Sequence, residues 1–573
     1  MKISQIKIHG IKSYEDVVID MEDYTVFVGE NNCGKSNVLF ALLWFFGKEK
    51  LSAKDLNINI NDNPYIDIEF KLVEDEIFSH PIEYRVENKF KVRATIDRAK
   101  AMEKPMACEY FGYTGKQEDS MKDSKLMGFK NVARPSLGDL IYVPSIKSLS
   151  DELKFTTSSA LNQLVSKYVI NRIKDEDGKA NHYSQIVNSI KQLSDYINEG
   201  EDSALQTLKR DISRYMLDYG NISLGFELEP PNAEELIKSC FKQHTDVDGG
   251  NKLPLSSQGD GFQRSMIFSL IANLAEVGKT SSSKKTAKNE CTYYIIEEPE
   301  IFLHPNHQLY FRNKLEELSR IKDSQVIITS HSPYFLNNIN NYSQIKRVYL
   351  EGAKSLIGQI DKDEIENICI NNGRLLAEAK NECKADKLNG PQLEALAKEI
   401  AKEDHLRYLL WIDPTRANAF LSKKVILVEG PTEKALFSFL FNNIKGNFYD
   451  EKRTASITVI DVVGKFHIYK FAQLLNRFKI KTWCLYDGDN DKCKSGGISH
   501  AKLNEAIEGL KNSSIIIDTL RLDPNIEQLL GLSKDADKPD VALYMNLENN
   551  TNKCLEGDGF RKLVDFTNSI ITA

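Results

Sequence analysis

The sequence lacks any long apolar run and any excess of basic charge. Its longest apolar stretch, Val38 to Phe46, is well short of the roughly 20 residues that span a bilayer. The run from Met1 to Ile8 alternates apolar with polar side chains, which is typical of a strand and not of a signal peptide. The formal net charge of -7 gives no overall attraction to a polyanion, so any nucleic-acid site must be a local basic patch. We therefore expect a cytoplasmic protein with no membrane association.

The cysteines lack the spacing of a metal or redox motif. There are nine of them, and no two form a C-x-x-C pair. An odd number of cysteines in a chain without an export signal argues against both a zinc site and a disulfide framework. We expect them to be free thiols.

Length and pattern predict several α/β domains. A chain of 573 residues is too long for one hydrophobic core, and 41% hydrophobic with 27% charged residues is typical of a globular protein. Short alternating or apolar runs predict strands at Lys2 to His9, Tyr24 to Val28, Ile66 to Leu72, Phe90 to Ile96 and Lys424 to Val428. Helical spacing replaces them at about 148–218 and again at about 362–419.

The first chemical motif is a phosphate-binding loop. Residues Gly29 to Ser36 fit G-x-x-x-x-G-K-[ST], after an apolar strand and before a helix-like run. Backbone N–H groups and Lys35 would hold the phosphates, and the Ser36 hydroxyl would bind Mg²⁺. The predicted ATP-binding residues are Gly29, Asn31, Asn32, Gly34, Lys35, Ser36 and Asn37. The alternative is a chance glycine turn.

Two later strands end in residues that suit the same nucleotide. Tyr293 to Ile296 is followed by Glu297, predicted to hold Mg²⁺, and by Glu298, predicted to orient or deprotonate the attacking water. His331 follows the next strand and is predicted to sense the γ-phosphate. The alternatives are a solvated acidic turn and a structural histidine.

A Ser/Gly turn at Leu255 to Arg264 has the composition of a second anion-binding helix terminus. It adds Ser257, Gly259 and Gly261 to the predicted nucleotide-binding residues.

Acidic residues follow three strands in the last part of the chain. They are Glu429 with Glu433, then Asp461, then Asp487 with Asp489. The carboxyl ends of parallel strands share one edge of a sheet, and oxygen ligands without His or Cys suit two Mg²⁺ or Mn²⁺ ions. Phosphodiester hydrolysis is the predicted reaction. There are two alternatives. One is an EF-hand calcium loop, but Lys492 and Ile498 stand where that loop needs Gly and Glu. The other is a set of acidic surface turns.

The order of the N-terminal motifs resembles the ABC-type ATPases of the recombination and chromosome-maintenance group, which are SMC-like, and Glu…Asp-x-Asp resembles the Toprim domain. Together they resemble the OLD (overcoming lysogenization defect) family of nucleases, which includes the nuclease subunit of Gabija antiphage systems and OLD-type retron effectors. The resemblance implies that Glu429, Asp487 and Asp489 bind one metal ion, and Glu433 and Asp461 a second. It also implies that Glu527 is a further ligand and that Lys538 is the basic residue that stabilises the pentavalent phosphate.

The resemblance also implies a dimer, because the Ser/Gly signature of one subunit completes the nucleotide site of the other in that group. Two departures argue against fast turnover: the signature is not Leu-Ser-Gly-Gly-Gln, and Glu297 stands where Asp is common. A long heptad arm is missing, which predicts a compact relative.

The expected fold class is α/β multidomain, with an ABC/SMC-like P-loop ATPase, a helical dimerisation insertion and a Rossmann-like Toprim domain. The expected boundaries are 1–147 and 219–361 for the ATPase, 148–218 for the insertion, 362–422 for a helical linker and 423–573 for Toprim. The expected function is ATP-regulated, metal-dependent DNA cleavage in antiphage defence by a homodimer or higher oligomer, with a helicase subunit or a reverse transcriptase and its DNA product as possible partners. The alternative is a repair-type ATPase clamp whose Toprim domain binds DNA without cutting it.

Overall fold

The structure is a computed structural model. It describes residues 1–72, 85–86, 88–112, 137–145, 165, 182–199, 205, 207–210, 232–239, 244–247, 251–254, 258–259, 261–262, 265–266, 269, 291–337, 341–443, 456–489, 493, 497–523, 525–529, 539–549 and 558–573.

The described chain forms two compact units. Unit 1 combines Met1–Leu140, Lys284–Glu300 and His304–Ala573, and unit 2 combines Ile141–Ser283 and Ile301–Leu303. No helix in these described stretches is both long enough and apolar enough to cross a membrane.

The strands are β1 (Lys2–Ile11), β2 (Tyr14–Asp20), β3 (Tyr24–Gly29), β4 (Tyr65–Lys71), β5 (Arg85–Val86), β6 (Lys89–Thr95), β7 (Glu109–Gly112), β8 (Asp139–Val143), β9 (His244–Val247), β10 (Asn251–Pro254), β11 (Thr292–Glu297), β12 (Ser324–Thr329), β13 (Ile345–Glu351), β14 (Lys354–Gly358), β15 (Lys424–Val428), β16 (Ile457–Asp461), β17 (Lys481–Asp487) and β18 (Asp518–Leu522).

The helices are α1 (Lys35–Phe45), α2 (Arg98–Glu103), α3 (His182–Glu199), α4 (Ala233–Ser239), α5 (Pro305–Ser319), α6 (Lys362–Glu382), α7 (Gly390–Trp411), α8 (Pro414–Ala417), α9 (Pro431–Asn443), α10 (Lys465–Arg477), α11 (His500–Asn512), α12 (Ile526–Leu529), α13 (Pro539–Asn549) and α14 (Asp558–Thr572).

The first sheet of unit 1 is antiparallel, with the order β2-β1-β4-β6-β5 and β7 paired to β6. Its strands alternate in burial, as in β1, where Ile6 and Ile8 are fully buried and Lys7 between them is not. Period-two alternation places one face of such a sheet against the core. The strands predicted at Lys2 to His9, Ile66 to Leu72 and Phe90 to Ile96 are thereby confirmed.

The second sheet has the order β14-β13-β3-β12-β11-β8. Strand β3 is parallel to both β12 and β13, and β12 is parallel to β11. Every residue of β3 and of β12 is buried, as expected of parallel strands covered on both faces. The carboxyl ends of β3, β12 and β11 therefore lie side by side.

The third sheet is entirely parallel, with the order β16-β15-β17-β18. Its core joins Ile426 and Trp483 of the strands to Leu543 and Leu563 of the C-terminal helices. The chain leaves β15 toward β16 on one side, whereas β17 connects to β18 on the other. Such a change of direction creates a crevice at the carboxyl ends of the two central strands.

Helices α6 and α7 form a hairpin that packs on α10, with Leu376, Ala397 and Phe466 in the shared apolar cluster. A buried ion pair joins the same elements: Lys470 Nζ lies 2.9 Å from Asp404 Oδ1. The helices predicted over 362–419 are confirmed, and they are attached to the third sheet.

Unit 2 contains α3, α4 and the antiparallel hairpin of β9 and β10. Helix α3 confirms helical structure in part of the predicted insertion, and the rest of 148–218 lies almost wholly outside the described residues. Leu193 and Tyr196 of α3 are exposed apolar side chains, at 59% and 72%.

The expectation that all cysteines are free is wrong for two of them. Cys383, at the end of α6, forms a disulfide with Cys493, which lies after β17. A separation of 110 residues in sequence hides this pairing, and the packing of α6 near the start of α11 creates it: Ser499 N donates to Ala379 O, and Ser499 also bridges to Cys493. Counting cysteines cannot detect such a contact.

Candidate nucleotide site and candidate metal site

The loop between β3 and α1 has the backbone that a phosphate-binding loop needs. Gly29 and Gly34 have φ of 141° and 109°. A Cβ on Gly29 would lie 2.1 Å from Val348 O, and one on Gly34 would lie 2.4 Å from Ser355 Oγ. Both conformation and space therefore restrict these positions to glycine. Helix α1 begins at the next residue, Lys35, so its free N–H groups face the loop.

Lys35 and Ser36 connect the loop to the neighbouring strand end. Lys35 Nζ donates to Gly29 O at 3.2 Å and to Glu30 O at 2.6 Å. Burial lowers the pKa of Lys35. Ser36 Oγ donates to the carboxylate of Glu297, the last residue of β11. Glu297 thus stands where it can share a magnesium ion with Ser36.

Glu298 and His331 lie opposite each other at the ends of β11 and β12. His331 Nε2 lies 3.6 Å from Glu298 Oε1, and Glu298 adopts a left-handed φ of 45°. Burial, assisted by the charge of Lys35, lowers the pKa of His331 to about 4, so the ring is neutral at pH 7. The two side chains contact each other directly at the strand ends next to the phosphate-binding loop, where both were predicted.

Glu300 is a residue of this site that the sequence reasoning did not assign. Its carboxylate accepts from Ser330 Oγ at 3.0 Å and from the backbone N of His331. Burial raises the pKa of Glu300. It holds the loop after β12 in place, and its position two residues after Glu298 was the available signal.

The other predicted nucleotide residues have mixed positions. Asn31 and Asn32 are exposed in the loop, and Asn37 Nδ2 donates to Ser13 Oγ at 2.7 Å. Gly259 and Gly261 belong to unit 2, and Ser257 lies outside the described residues.

The candidate metal site lies at the crevice between β15 and β17. Glu429 follows β15, and its Oε1 accepts from the backbone N of Asp487 at 3.0 Å. Asp487 ends β17, and its Oδ1 accepts from Ile526 N at 3.1 Å. Asp489 follows two residues later with a left-handed φ of 54°. The structure brings these three predicted ligands to one sheet edge.

A lysine that the sequence reasoning did not assign lies among these acids. Lys465 Nζ is 2.8 Å from Asp489 Oδ2 and 3.8 Å from Glu429 Oε1, and its side chain is 3% exposed. His500 Nδ1 lies 3.0 Å from the same Asp489 oxygen. The signal for Lys465 was its place directly after Gly464, at the turn that follows β16.

Glu429 differs from an ordinary carboxyl group. Burial raises its pKa to about 7, against the opposing charge of Lys465, and the nearby carboxylates of Glu433 and Asp489 raise it further. A buried acid beside other acids favours the proton, and a cation at the same place would favour the ionised form.

Two other predicted ligands have hydrogen bonds of their own. Glu433 is buried, and its Oε2 accepts from Gly430 N at 3.0 Å, at the start of α9. Asp461 ends β16 and accepts from Arg416 Nη2 at 3.3 Å and from Lys434 Nζ at 3.2 Å. Glu527 lies in α12, and Lys538 lies outside the described residues.

The donor chemistry fits a hard divalent cation, but the cage is not preformed. Among the side chains that the structure describes, no three His, Cys, Asp or Glu residues converge closely enough to hold a metal ion. The carboxylates of Glu429, Asp487 and Asp489 offer only oxygen, as Mg²⁺ and Mn²⁺ prefer. Their present partners are a lysine, a histidine and backbone N–H groups, so metal binding requires these hydrogen bonds to be exchanged.

The nucleotide loop and the third sheet contact each other within unit 1. Arg347 of β13 is 4% exposed, and its guanidinium donates to the carbonyls of Phe478, Lys479 and Ser422 at 2.9–3.2 Å. Lys423 Nζ, next to β15, lies 2.9 Å from Glu30 Oε2 in the phosphate-binding loop.

The geometry defines a P-loop ATPase fold joined to a parallel sheet with acidic strand ends, and known families match both parts. The AAA ATPase domain family matches residues 1–218 and 82–336, which together exceed half of the 573 residues, so the chain belongs to that family. The TOPRIM domain of overcoming lysogenization defect protein-like proteins matches residues 420–489.

Three curated relatives match the chain over most of its length. The chain is 24% identical to the Old nuclease of Escherichia phage P2 over 85% of this chain and 77% of the relative. It is 25% identical to Endonuclease GajA of Bacillus cereus strain VD045 over 78% and 69%. It is 21% identical to the OLD nuclease of Thermus scotoductus over 94% and 93%. The predicted fold class and the predicted resemblance to the OLD nucleases are confirmed, and the domain boundaries stay a prediction.

Proposed function

We propose that the protein is an ATP-regulated, divalent-metal-dependent DNA endonuclease. The observation that carries this proposal is the meeting of Glu429, Asp487 and Asp489 at the ends of β15 and β17. The names of the relatives, two of them OLD nucleases and one an endonuclease, support it.

The side chains suit hydrolysis of a phosphodiester. Bound Mg²⁺ or Mn²⁺ would activate water and stabilise the attacking and leaving oxygens. Glu429, Asp487 and Asp489 would bind one ion. Asp461 and Glu433 would contribute to the second ion once their present hydrogen bonds are exchanged. Water adds to phosphorus, the bond to one ester oxygen breaks, and that oxygen takes a proton. One strand end then carries a phosphate and the other a hydroxyl.

The nucleotide site would regulate this cleavage through the contacts inside unit 1. Lys35, which would contact the phosphates of ATP, donates from Nζ to Glu30 O at 2.6 Å, and the carboxylate of Glu30 pairs with Lys423. Lys423 precedes β15, the strand that presents Glu429. We expect Lys423→Ala to reduce the effect of ATP on cleavage severalfold while ATP hydrolysis and ATP-free cleavage stay at the wild-type rate, as nicking assays with and without ATP will test.

The assembly and biological role follow from the same proposal. Exposed Leu193 and Tyr196 on α3 provide apolar area for a second copy, and a dimer would let one Ser/Gly turn complete the partner's nucleotide site. Sedimentation of Leu193→Asp with Tyr196→Ala should show a smaller species than the wild-type protein. Antiphage defence fits the GajA relative, with a helicase or a reverse transcriptase and its product as possible partners.

The decisive experiment measures plasmid nicking by Asp487→Ala with Mg²⁺ or Mn²⁺. Loss of a ligand carboxylate should bring cleavage below detection, because two divalent ions require that charge. ATP hydrolysis should persist. The matched control is Asp523→Asn, since Asp523 follows the adjacent strand β18 and its Oδ1 accepts from Arg521 Nε.

Wild-type nicking by the Asp487 variant would contradict the proposal. The nicking would then come from another site in the chain. Absence of nicking by the wild-type protein would instead favour the ATPase clamp whose Toprim domain binds DNA without cutting it.

A further inference from the structure

A cavity of about 270 Å³ lies beside the candidate metal site. Its lining includes Leu410 and Trp411 from the end of α7, Val463 from the turn after β16, and His467 and Phe471 from α10. Arg407 stands at its rim. The size is near the lower limit of small-molecule sites, which suits one flat group and not an extended ligand.

The cavity is structurally continuous with the metal site. Val463 lies between Asp461 and Lys465, and the next residue, Gly464, donates its N–H to Glu429 O at 2.8 Å. Arg416 lines the cavity and also binds Asp461 at 3.3 Å. The wall of the cavity at Val463 therefore belongs to the same turn that carries Lys465 and bonds to Glu429.

The walls are aromatic and stacked. The rings of Trp411 and Phe471 are 3.5 Å apart with an interplanar angle of 16°, and His467 stacks on Phe471 at 6.0 Å and 23°. Burial, with the charges of Lys470, Arg407 and Arg416, lowers the pKa of His467 to about 4, so this ring is neutral. Leu410 and Val463 are 81% and 68% exposed, so they form the accessible apolar part of the cavity wall.

The cavity wall also carries polar atoms, which favour a ligand with polar edges over a purely apolar one. Trp411 is 7% exposed, and its Nε1 has no hydrogen-bond partner among the residues that the structure describes. The same holds for His467 Nδ1. Buried polar groups of this kind favour a ligand that carries acceptors or donors on its edge. Arg407, which pairs with Glu403 at 3.4 Å, adds a positive charge on the exposed side.

We propose that this cavity binds an unstacked nucleobase of the DNA strand that is cut, with the adjoining backbone phosphate against Arg407. A nucleobase is flat, has hydrogen-bonding edges and is attached to an anion, and each property has its counterpart in the cavity. The inference rests on the proposed endonuclease function and adds a substrate class: DNA that is single-stranded or locally opened near the scissile phosphate.

The test is an abasic scan. In a series of short fluorescein-labelled single-stranded oligonucleotides, one nucleotide after another is replaced by an abasic site. Binding is measured by fluorescence anisotropy, in EDTA to prevent cutting. We expect one position at which loss of the base weakens binding by about tenfold, as stacking on an aromatic wall predicts. In Leu410→Glu this sensitivity should disappear.

Leu406→Glu is the matched control. Leu406 lies one turn earlier on α7, is 62% exposed and does not line the cavity, so the variant should keep the sensitive position. Because both leucines are exposed, both variants should fold, and their melting temperatures are compared to check this.

Two results would overturn the inference: a flat scan in the wild-type protein, or a sensitive position that survives in Leu410→Glu. Plasmid nicking by the same wild-type preparation separates the two proposals. A protein that nicks but gives a flat scan lacks the base pocket. A protein that does not nick but loses its sensitive position in Leu410→Glu has the pocket without the proposed activity.

Discussion

Replacing Lys465 by methionine should strengthen metal binding at the third sheet. Its ammonium lies 2.8 Å from Asp489 and 3.8 Å from Glu429, so it supplies the positive charge that a metal ion would otherwise supply. A divalent ion on these carboxylates must either displace the ammonium or remain beside it. Methionine has a similar length and volume and removes only the charge.

The size of the effect follows from the geometry. Two unit charges about 4 Å apart interact by about 4 kcal/mol at an effective dielectric constant of about 20. The side chains of Asp489 and Glu429 are 31% and 20% exposed, so solvent screening reduces this value. We expect about 1–2 kcal/mol, which is roughly a five- to thirtyfold gain in affinity for Mn²⁺. The metal-free variant should be less stable by a similar amount, because Asp489 loses its lysine partner and, among the described residues, retains the pair with His500.

The assay is titration of metal-free protein with Mn²⁺, followed by calorimetry, together with melting in EDTA. Lys465→Arg should bind Mn²⁺ like the wild type, since it retains the charge. Lys502→Met removes a lysine whose Nζ pairs with Glu378 on the surface, and it should change neither quantity. Equal or weaker Mn²⁺ binding by Lys465→Met would refute the reasoning.

Three further predictions concern other groups. Glu298→Gln should retain ATP binding but slow hydrolysis by about 10²-fold or more, and a wild-type rate in an ATPase assay would remove Glu298 from its role. Lys470→Met leaves buried Asp404 without its ion-pair partner and should lower the free energy of unfolding by about 3–5 kcal/mol in guanidinium titrations. The control Lys502→Met, which removes an exposed pair, should lower it by less than about 1 kcal/mol. In EDTA, folded Glu429 keeps its proton to about pH 7, above its unfolded pKa, so stability should fall by up to about 3 kcal/mol as the pH rises from about 4.5 past 7. Glu429→Gln should remove that fall, and an unchanged pH profile would contradict the raised pKa.

The residues that local patterns identify are those at strand ends. Glycine spacing around Lys35 and the acids after apolar runs at Glu297, Glu429 and Asp487 are visible because a parallel strand and the turn after it lie within a few residues of sequence. The strands of the antiparallel sheet are equally visible, since period-two alternation is a local consequence of burying one face.

The tertiary structure alone decided which of these groups meet. Lys465 reaches Asp489 because β16 and β17 both run parallel to β15, so that the turns after them lie at the same edge of the sheet. Cys383 reaches Cys493 because α6 packs near the start of α11. The tertiary structure also pairs Asp461 with Arg416 and Lys434, away from the other predicted ligands. Local sequence specifies a strand and its turn, whereas partners distant in sequence depend on strand order and helix packing, to which many residues contribute a little each.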